Sequence, residues 1–156
     1  MKQIKSVESW ARKPLGDFVR ESASRLSLLM TTSGQVVAQY GFVRAVDVMA
    51  AAALGAGITA STNEMAKLVG ERRFSALNHQ GREHRVFLAP LESRRGTLIL
   101  LTVYGIESSL GLVQLFFEEF ADAVAEACPE PETQKPVLAA NFERELDDNL
   151  RALFGS

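Results

Sequence analysis

A long proline-free stretch, residues 42–71, constrains the fold of this chain more than any other feature. It reads FVRAVDVMAAAALGAGITASTNEMAKLVGE and consists mainly of alanine and other good helix formers. Asp47 near its beginning and Gly70 near its end are residues that commonly begin and end a helix. The larger apolar residues recur at helical spacing: Leu54, Ile58, Met65 and Leu68. We therefore predict one long helix, with this stripe packed against a core.

Two glycines in this helix, Gly55 and Gly57, each cost about 1 kcal/mol relative to alanine, so a compensating contact is expected. A phosphate-binding loop does not explain them, because such a loop needs a lysine at a fixed step after the glycines. The side away from the larger apolar residues is lined by small ones: Ala52, Ala53, Ala56, Gly57, Ala60 and Asn63. Small side chains let two backbones approach closely. We predict that a partner contacts this face; the alternative is an alanine-rich helix packed on its own sheet.

Strand-like runs lie on both sides of the long helix. Before it, LSLLMT and QVVAQY flank Ser33 and Gly34, a pattern typical of a β-hairpin because glycine supplies the positive φ of a tight turn. After it, three runs rich in β-branched, leucine and aromatic residues are joined by short turns: FSALNHQ, EHRVFLAPLE and TLILLTVYG. The last run is apolar almost throughout, so we place it centrally in the sheet.

Further helices frame these strands. PLGDFVRESAS has an amphipathic pattern, and so does LVQLFFEEFADAVAEA, which Ser108 or Ser109 can cap. PEPETQKP interrupts regular structure, and NFERELDDNLRALFGS reads as a short amphipathic helix on a tether. The predicted class is α/β, of the α+β sandwich type, in the order α-β-β-α-β-β-β-α with a tethered C-terminal helix. We predict four segments: an N-terminal extension (1–14), one domain (15–128), a linker (129–140) and the C-terminal helix (141–156).

The run FSALNHQ follows a helix and has only one natural neighbour in the sheet, EHRVFLAPLE. Its other edge would be open, and proteins avoid exposed strand edges by covering or pairing them. Pairing with the same strand of a second copy would give one continuous sheet through a two-fold axis, with the two long helices side by side. We therefore predict a homodimer. The residues expected at its interface are Ala52, Ala56, Phe74, Leu77 and His79.

The composition argues against several classes of function. The net charge of −2 is too weak for a nucleic-acid binder. A single cysteine, Cys128, fits a reducing compartment. The two histidines, His79 and His84, flank a turn and could face each other, but further metal ligands are lacking. Serine hydrolase motifs are absent, since no GxSxG occurs. We expect no catalytic residue, no cofactor and no metal.

Targeting signals are not evident either. The N-terminus MKQIKSVESWARK has no apolar region of the kind found in signal peptides. The longest apolar runs considered, such as TLILLTVYG, are far shorter than the ~20 residues of a membrane helix. We expect a cytoplasmic protein that does not insert into a membrane.

Several phrases together resemble the roadblock, or dynein light chain 7, family, and within it the bacterial MglB-type proteins. They are LLMTTSGQVVAQYG, AALGAGITASTNEMAKLVGE, the HQG of NHQGREHR, and IESSLGLVQL, spread over roughly residues 20–127. The resemblance implies a five-stranded, mainly antiparallel sheet between helices. It also implies a homodimer that binds a small Ras-like GTPase of the MglA type and stimulates GTP hydrolysis without donating an arginine.

The resemblance assigns two partner-binding surfaces. One is on the long helix, at Ala53, Gly57, Ala60 and Glu64. The other is the C-terminal helix, whose docking face would consist of Phe142, Leu146, Leu150, Leu153 and Phe154. An arginine acting in trans stays an alternative, with candidates Arg72, Arg73, Arg82 and Arg85. Two other functions remain open: a roadblock scaffold that tethers proteins without altering GTP turnover, and a small-ligand sensor or enzyme.

Overall fold

The computed structural model describes the backbone of residues 3–131 and 134–154, and the side chains of residues 3–131 and 144–154. The first half contains β1 (Ile4–Ser6), a 3-10 turn (Ser9–Ala11), α1 (Arg12–Ser22), β2 (Leu26–Thr31), β3 (Val36–Tyr40) and α2 (Ala45–Leu68). The second half contains β4 (Leu77–Gln80), β5 (Arg85–Ser93), β6 (Gly96–Tyr104), α3 (Leu110–Ala127) and α4 (Gln134–Phe154).

The strands form one six-stranded sheet in the order β1-β3-β2-β6-β5-β4, and all neighbours are antiparallel. The predicted class and element order are confirmed, and β6 is central, as its apolar sequence predicts. The predicted count of five strands is wrong by one, because β1 pairs with β3 through Ile4 and Tyr40. Part of the segment expected to be an extension, 1–14, therefore belongs to the sheet, and α1 also begins within it.

The face of the sheet that α1 and α3 cover holds the larger core. Phe18 of α1 and Phe120 of α3 are buried, with ring centroids 5.5 Å apart. Phe87 of β5 packs edge-on against Phe117, at 5.4 Å between centroids. Ser109 caps α3 by accepting a hydrogen bond from the Leu112 N–H at 3.2 Å, as one of the two predicted capping residues. This face is therefore closed by well-packed aromatic side chains.

Among the described residues, α2 is the helix that packs on the opposite face. Because side chains alternate along a strand, Leu28 and Met30 of β2 point to this face, where they join Val48 and Ala52 of the helix. The β2–β3 hairpin places its turn glycine, Gly34, at φ 89° and brings it close to the α2 residues Ala52 and Ala56. A single helix is too narrow to cover this whole face of a six-stranded sheet.

By length and composition, α2 is the one helix among the described residues that is apolar enough to cross a membrane. The sequence-based expectation that no run is long enough is thereby wrong for this segment. One such helix is weak evidence of a membrane span, and α2 packs against β2, β3 and β6.

The last described helix, α4, differs from its predicted bounds. It begins at Gln134, inside the segment expected to be a linker (129–140), rather than near residue 141. The predicted boundary is wrong because the prediction treats proline as a sign of a linker. Pro136 lies in the first turn of the helix, where the missing N–H costs nothing. Residues 132–133 lie outside the described residues.

Candidate partner-binding site

The long helix α2 lies on the sheet through its small residues. Its buried positions are Val48, Ala52, Gly55 and Ala66. A Cβ added at Gly55 would lie 2.8 Å from Met30 Cε and 3.3 Å from Leu101 Cδ1. Gly55 thus allows the helix to approach its own sheet closely. The alternative of an alanine-rich helix packed on its own sheet holds for this side of α2.

The orientation predicted for α2 is wrong. Leu54, Ile58, Met65 and Leu68 do share a side of the helix, but that side faces away from the core. Leu54 is 66% exposed, Met65 is 59% exposed and Leu68 is 86% exposed. Buried side chains of α2 are small, whereas its larger side chains remain uncovered. We call these four residues the α2 stripe.

A second exposed side of α2 carries the residues that resemblance assigns to a partner. Ala53, Gly57, Ala60 and Glu64 are all exposed. A Cβ added at Gly57 would meet nothing within 4 Å. Glu64 forms a surface ion pair with Lys67, at 2.9 Å. The four residues are placed together and accessible, as a partner-binding surface requires.

The strand β4 lies at one edge of the sheet, where the sequence predicts it. The Gly81 N–H donates to the His84 carbonyl at 2.9 Å, and His79 lies opposite Val86. Since hydrogen-bonded and non-bonded pairs alternate in an antiparallel ladder, the N–H and C=O groups of Asn78 and Gln80 point away from β5. The open edge therefore offers these groups to another strand.

The side of α2 that carries Thr59 and Thr62 faces the β4 region, and the α2 stripe borders that side. Thr59 and Thr62 share a narrow gap with Phe74 and Leu77. Thr62 donates a hydrogen bond to the Ile58 carbonyl at 2.7 Å, and Leu54, Ile58 and Thr62 are four residues apart, on one side. The uncovered apolar side of α2 therefore adjoins the side of the helix that faces the β4 region.

The residues predicted for the dimer interface are distributed differently. Phe74 and Leu77 are half-buried beside the open edge, and His79 is exposed on β4. Ala52, by contrast, is 0% exposed within its own chain, so it is unable to contact a partner. Ala56 lies on the opposite flank of α2, beside the hairpin turn at Gly34. Ala52 is buried because the helix is rotated relative to the predicted orientation. Ala56 is half-buried and stays a prediction.

A cluster of hydrogen bonds and an ion pair around Arg25 connects the segments at one end of the sheet. Arg25 donates to Glu107 through Nε at 2.6 Å and through Nη2 at 2.9 Å. The same guanidinium donates to the Glu83 carbonyl at 3.2 Å and lies 2.8 Å from His84 Nδ1. The Arg25 hydrogen bonds are the main cause that lowers the pKa of Glu107 to about 2. His84 therefore faces Arg25 and not His79.

Two further arginines near the open edge, Arg73 and Arg85, also make structural contacts. Arg73, just before β4, donates to Glu92 at 2.7 Å, and this hydrogen bond is the main cause that lowers the pKa of Glu92. The Arg85 guanidinium lies 6.0 Å from the centroid of the Tyr104 ring. Among the described residues no group of three His, Cys, Asp or Glu is placed to hold a metal.

The second surface assigned by resemblance lies on α4. Leu146, Leu150, Leu153 and Phe154 are exposed to between 44% and 81%. They follow one another at helical spacing and so form one apolar side. The side chain of Phe142, the fifth residue of the predicted docking face, lies outside the described residues.

Several solved structures have a fold similar to that of this chain. MglB of Myxococcus xanthus is 23% identical, with a TM-score of 0.69 over 76% of this chain and 94% of that one. The gliding protein MglB of Thermus thermophilus is 28% identical, with a TM-score of 0.67 over 76% and 87%. A roadblock/LC7 domain from Streptomyces avermitilis is 14% identical, with a TM-score of 0.61 over 70% and 89%. No protein-family model and no curated protein matches the chain. The predicted likeness to roadblock proteins, and to MglB in particular, is confirmed.

Proposed function

We propose that this chain, whose fold is that of the MglB-like roadblock proteins, is a homodimeric, non-enzymatic regulator of a small Ras-like GTPase. The observation that carries the proposal is the uncovered apolar side of α2, together with the open edge of β4. Isolated apolar side chains are common on protein surfaces, but a continuous apolar patch is typical of a binding surface. The cytoplasm, where such GTPases act, is the proposed location.

The proposed dimer joins the β4 edges of two copies through the outward-pointing groups of Asn78 and Gln80. In that arrangement the two sheets become one, and each α2 stripe lies against the other helix. Leu54, Ile58 and Met65 replace Ala52 as the proposed contacts of α2, since they are exposed residues of the α2 stripe. Ala56, Phe74, Leu77 and His79 stay in the proposed interface.

The proposed GTPase surface consists of Ala53, Gly57, Ala60 and Glu64. Three of these residues offer only backbone and methyl groups, so this surface supplies shape and close approach rather than a reacting group. Phosphoryl transfer depends mainly on positioning and on charge stabilisation, and a partner of this kind acts by fixing the GTPase's own catalytic groups in place. The MglA-type GTPase is the proposed partner, with α4 as a second contact.

The test is single-turnover GTP hydrolysis by a candidate Ras-like GTPase, measured with and without this protein. Gly57→Gln adds an uncharged side chain to the proposed contact, where the added Cβ meets nothing in its own chain. We expect the half-maximal concentration for stimulation to rise at least tenfold, which corresponds to about 1.4 kcal/mol. Gly111→Gln is the matched control, since it lies in α3 and a Cβ there also meets nothing within 4 Å.

Each possible result decides between the candidate functions. Stimulation that is lost in Gly57→Gln and kept in Gly111→Gln supports a regulator that uses α2. Binding without any stimulation would favour the scaffold. Equal half-maximal concentrations for the two variants would show that this side of α2 does not contact the GTPase.

A further inference from the structure

An apolar groove lies between the β1–β3 end of the sheet and the first turns of α2. It encloses about 310 Å³. The larger apolar residues that line it are Val7, Val36, Phe42, Val43, Val48 and Met49. Val7, Val43 and Met49 are 76%, 86% and 69% exposed, so large apolar side chains surround an open cavity. Such a surface is typical of a site that another polypeptide covers.

A buried polar atom in the groove indicates that the occupant carries a hydrogen-bond donor. Gln39 is 7% exposed and lines the groove, and its Oε1 has no hydrogen-bond partner among the described residues. In the β1–β3 register Gln39 lies opposite Lys5, which lines the same groove. Leaving a buried carbonyl oxygen unpaired is costly, and an incoming N–H would remove that cost.

The exposed side of α4 has the chemistry that the groove lacks. Leu146, Leu150 and Leu153 supply apolar side chains at helical spacing. Asn149 lies three residues after Leu146 and four before Leu153, so its amide N–H group is on the same side of the helix. The helix thus combines an apolar stripe with a side-chain donor that suits Gln39 Oε1.

The charges on the two surfaces are also complementary. Glu145 and Asp147 flank the apolar stripe of α4, one on each side of Leu146. Lys5 on β1 and Arg44 at the start of α2 stand on opposite walls of the groove. Arg44 already holds Asp47 at 3.1 Å in an exposed ion pair, which a carboxylate of α4 can join.

The tether of α4 begins at Cys128, which packs in the core on the α1–α3 face, whereas the groove lies beside the edge strand β1 on the α2 face. α3, which ends at Ala127, contacts the 3-10 turn, and that turn follows the groove residues Ser6 and Val7 within three positions. Residues 129–133 join Cys128 to the first residue of α4, which gives a reach of roughly 20 Å when extended. A short tether of this kind provides an effective concentration in the millimolar range, so even a weak contact is populated.

We propose that α4 docks its Leu146–Leu153 side into the groove between β1 and α2 of its own chain. The docked helix covers Val43 and Met49 and gives Gln39 its missing donor. A partner that takes up α4 would uncover the groove again. This docking is independent of the proposed GTPase partner, because both surfaces belong to this chain.

The first test is hydrogen exchange of the full chain, read at the amides of residues 146–154. A tethered helix of this length is marginal when nothing supports it, so slow exchange there reports docking. We expect the double variant Val43→Glu/Met49→Glu to accelerate these amides at least tenfold. Both positions are exposed, so the domain itself is expected to keep its exchange pattern. Ile106→Glu is the control, because Ile106 is 93% exposed and lies outside the groove. Unchanged exchange of α4 in the groove variant would overturn the proposal.

The second test identifies which copy supplies the helix. Val43→Cys with Leu150→Cys is expected to form a disulfide within one chain under mild oxidation, seen by non-reducing electrophoresis as a monomer of altered mobility. The native Cys128 is fully buried and does not interfere. Ile106→Cys with Leu150→Cys is the control pair. A product of twice the chain mass, or equal yields from the two pairs, would contradict docking within the chain.

Discussion

The two faces of the sheet are covered to very different extents. On one face α1 and α3 pack side by side, and the aromatic residues Phe18, Phe87 and Phe120 are almost fully buried. On the other face α2 packs on the sheet with Val48, Ala52 and Gly55 and leaves its larger residues in solvent. The closed face stabilises the fold, whereas the open face keeps apolar side chains exposed.

The difference follows from the size of the side chains at each contact. On the closed face, bulky rings fill the space between helix and sheet. On the open face, Gly55 and Ala52 let α2 lie so close to Met30 and Leu101 that larger residues have no room beneath the helix. The large apolar residues of α2 are thereby displaced to its outer sides. The same packing that fixes the helix also creates the proposed interface.

The largest expected effect distinguishes the two faces by whether the loss of stability depends on protein concentration. Phe120→Ala is expected to lower the free energy of unfolding by about 3–5 kcal/mol, because it leaves a cavity in the closed face. Urea unfolding should give this loss at every protein concentration. Leu54→Ala, on the exposed stripe, should lower stability only where the proposed dimer is populated, since association stabilises by mass action. A concentration-independent loss in Leu54→Ala would place that residue in the core instead.

The next effect compares the two glycines of α2. Gly55→Leu is expected to lower the free energy of unfolding by about 1–3 kcal/mol, because the new side chain overpacks the space at Met30 and Leu101. Gly57→Leu should raise it by up to about 1 kcal/mol, since leucine is the better helix former and meets nothing there. Thermal unfolding of both variants at low protein concentration measures the contrast. Equal shifts in the two variants would mean that neither glycine is packed.

Much of this architecture could be predicted from the sequence. Alternating and continuous apolar runs gave β2, β3, β5 and β6, and the Ser33-Gly34 step gave the hairpin. The strand β1 was missed because three residues, Ile4–Ser6, are too few to show a period of two. The rotation of α2 was missed for another reason. Periodicity groups Leu54 with Ile58 and Met65 but does not say which side of the helix meets the sheet. The buried side consists mainly of small residues, so it shows no clear apolar stripe in the sequence.

The open edge was predictable because it depends only on connectivity. FSALNHQ has one neighbour in sequence order, and β4 does lie at the edge. The groove and the unpaired Gln39 Oε1 were not predictable, since they depend on where β1 and the start of α2 meet in space. The same holds for Arg25, whose partners Glu83 and Glu107 are distant in sequence.

The smallest expected effect concerns the ion pair of Arg25 and Glu107. The folded-state pKa of Glu107, about 2, lies below the ordinary 4.5, so the pair stabilises the fold above pH 4.5. That contribution is lost as the pH falls from about 4.5 to about 2. Glu107→Gln should therefore be slightly less stable than the wild type at neutral pH, with the difference vanishing in acid. Both side chains are partly solvated, which keeps the effect small.

Melting temperature measured against pH tests this expectation. Gly105→Ala is a matched variant, because a Cβ at Gly105 would overlap the Arg25 guanidinium. It should lose the same acid-dependent contribution while keeping Glu107 itself. A difference between Glu107→Gln and the wild type that persists in acid would contradict an ion-pair origin.

Sedimentation velocity of the full chain at micromolar concentration tests the role of the open face most directly. The wild type is expected to sediment as a dimer, and Leu54→Glu/Ile58→Glu as a folded monomer, because two charges would face the partner's helix. Ile106→Glu, at an exposed apolar residue away from the stripe, should remain dimeric. A monomeric wild type, or a dimer that survives the double substitution, would contradict the account.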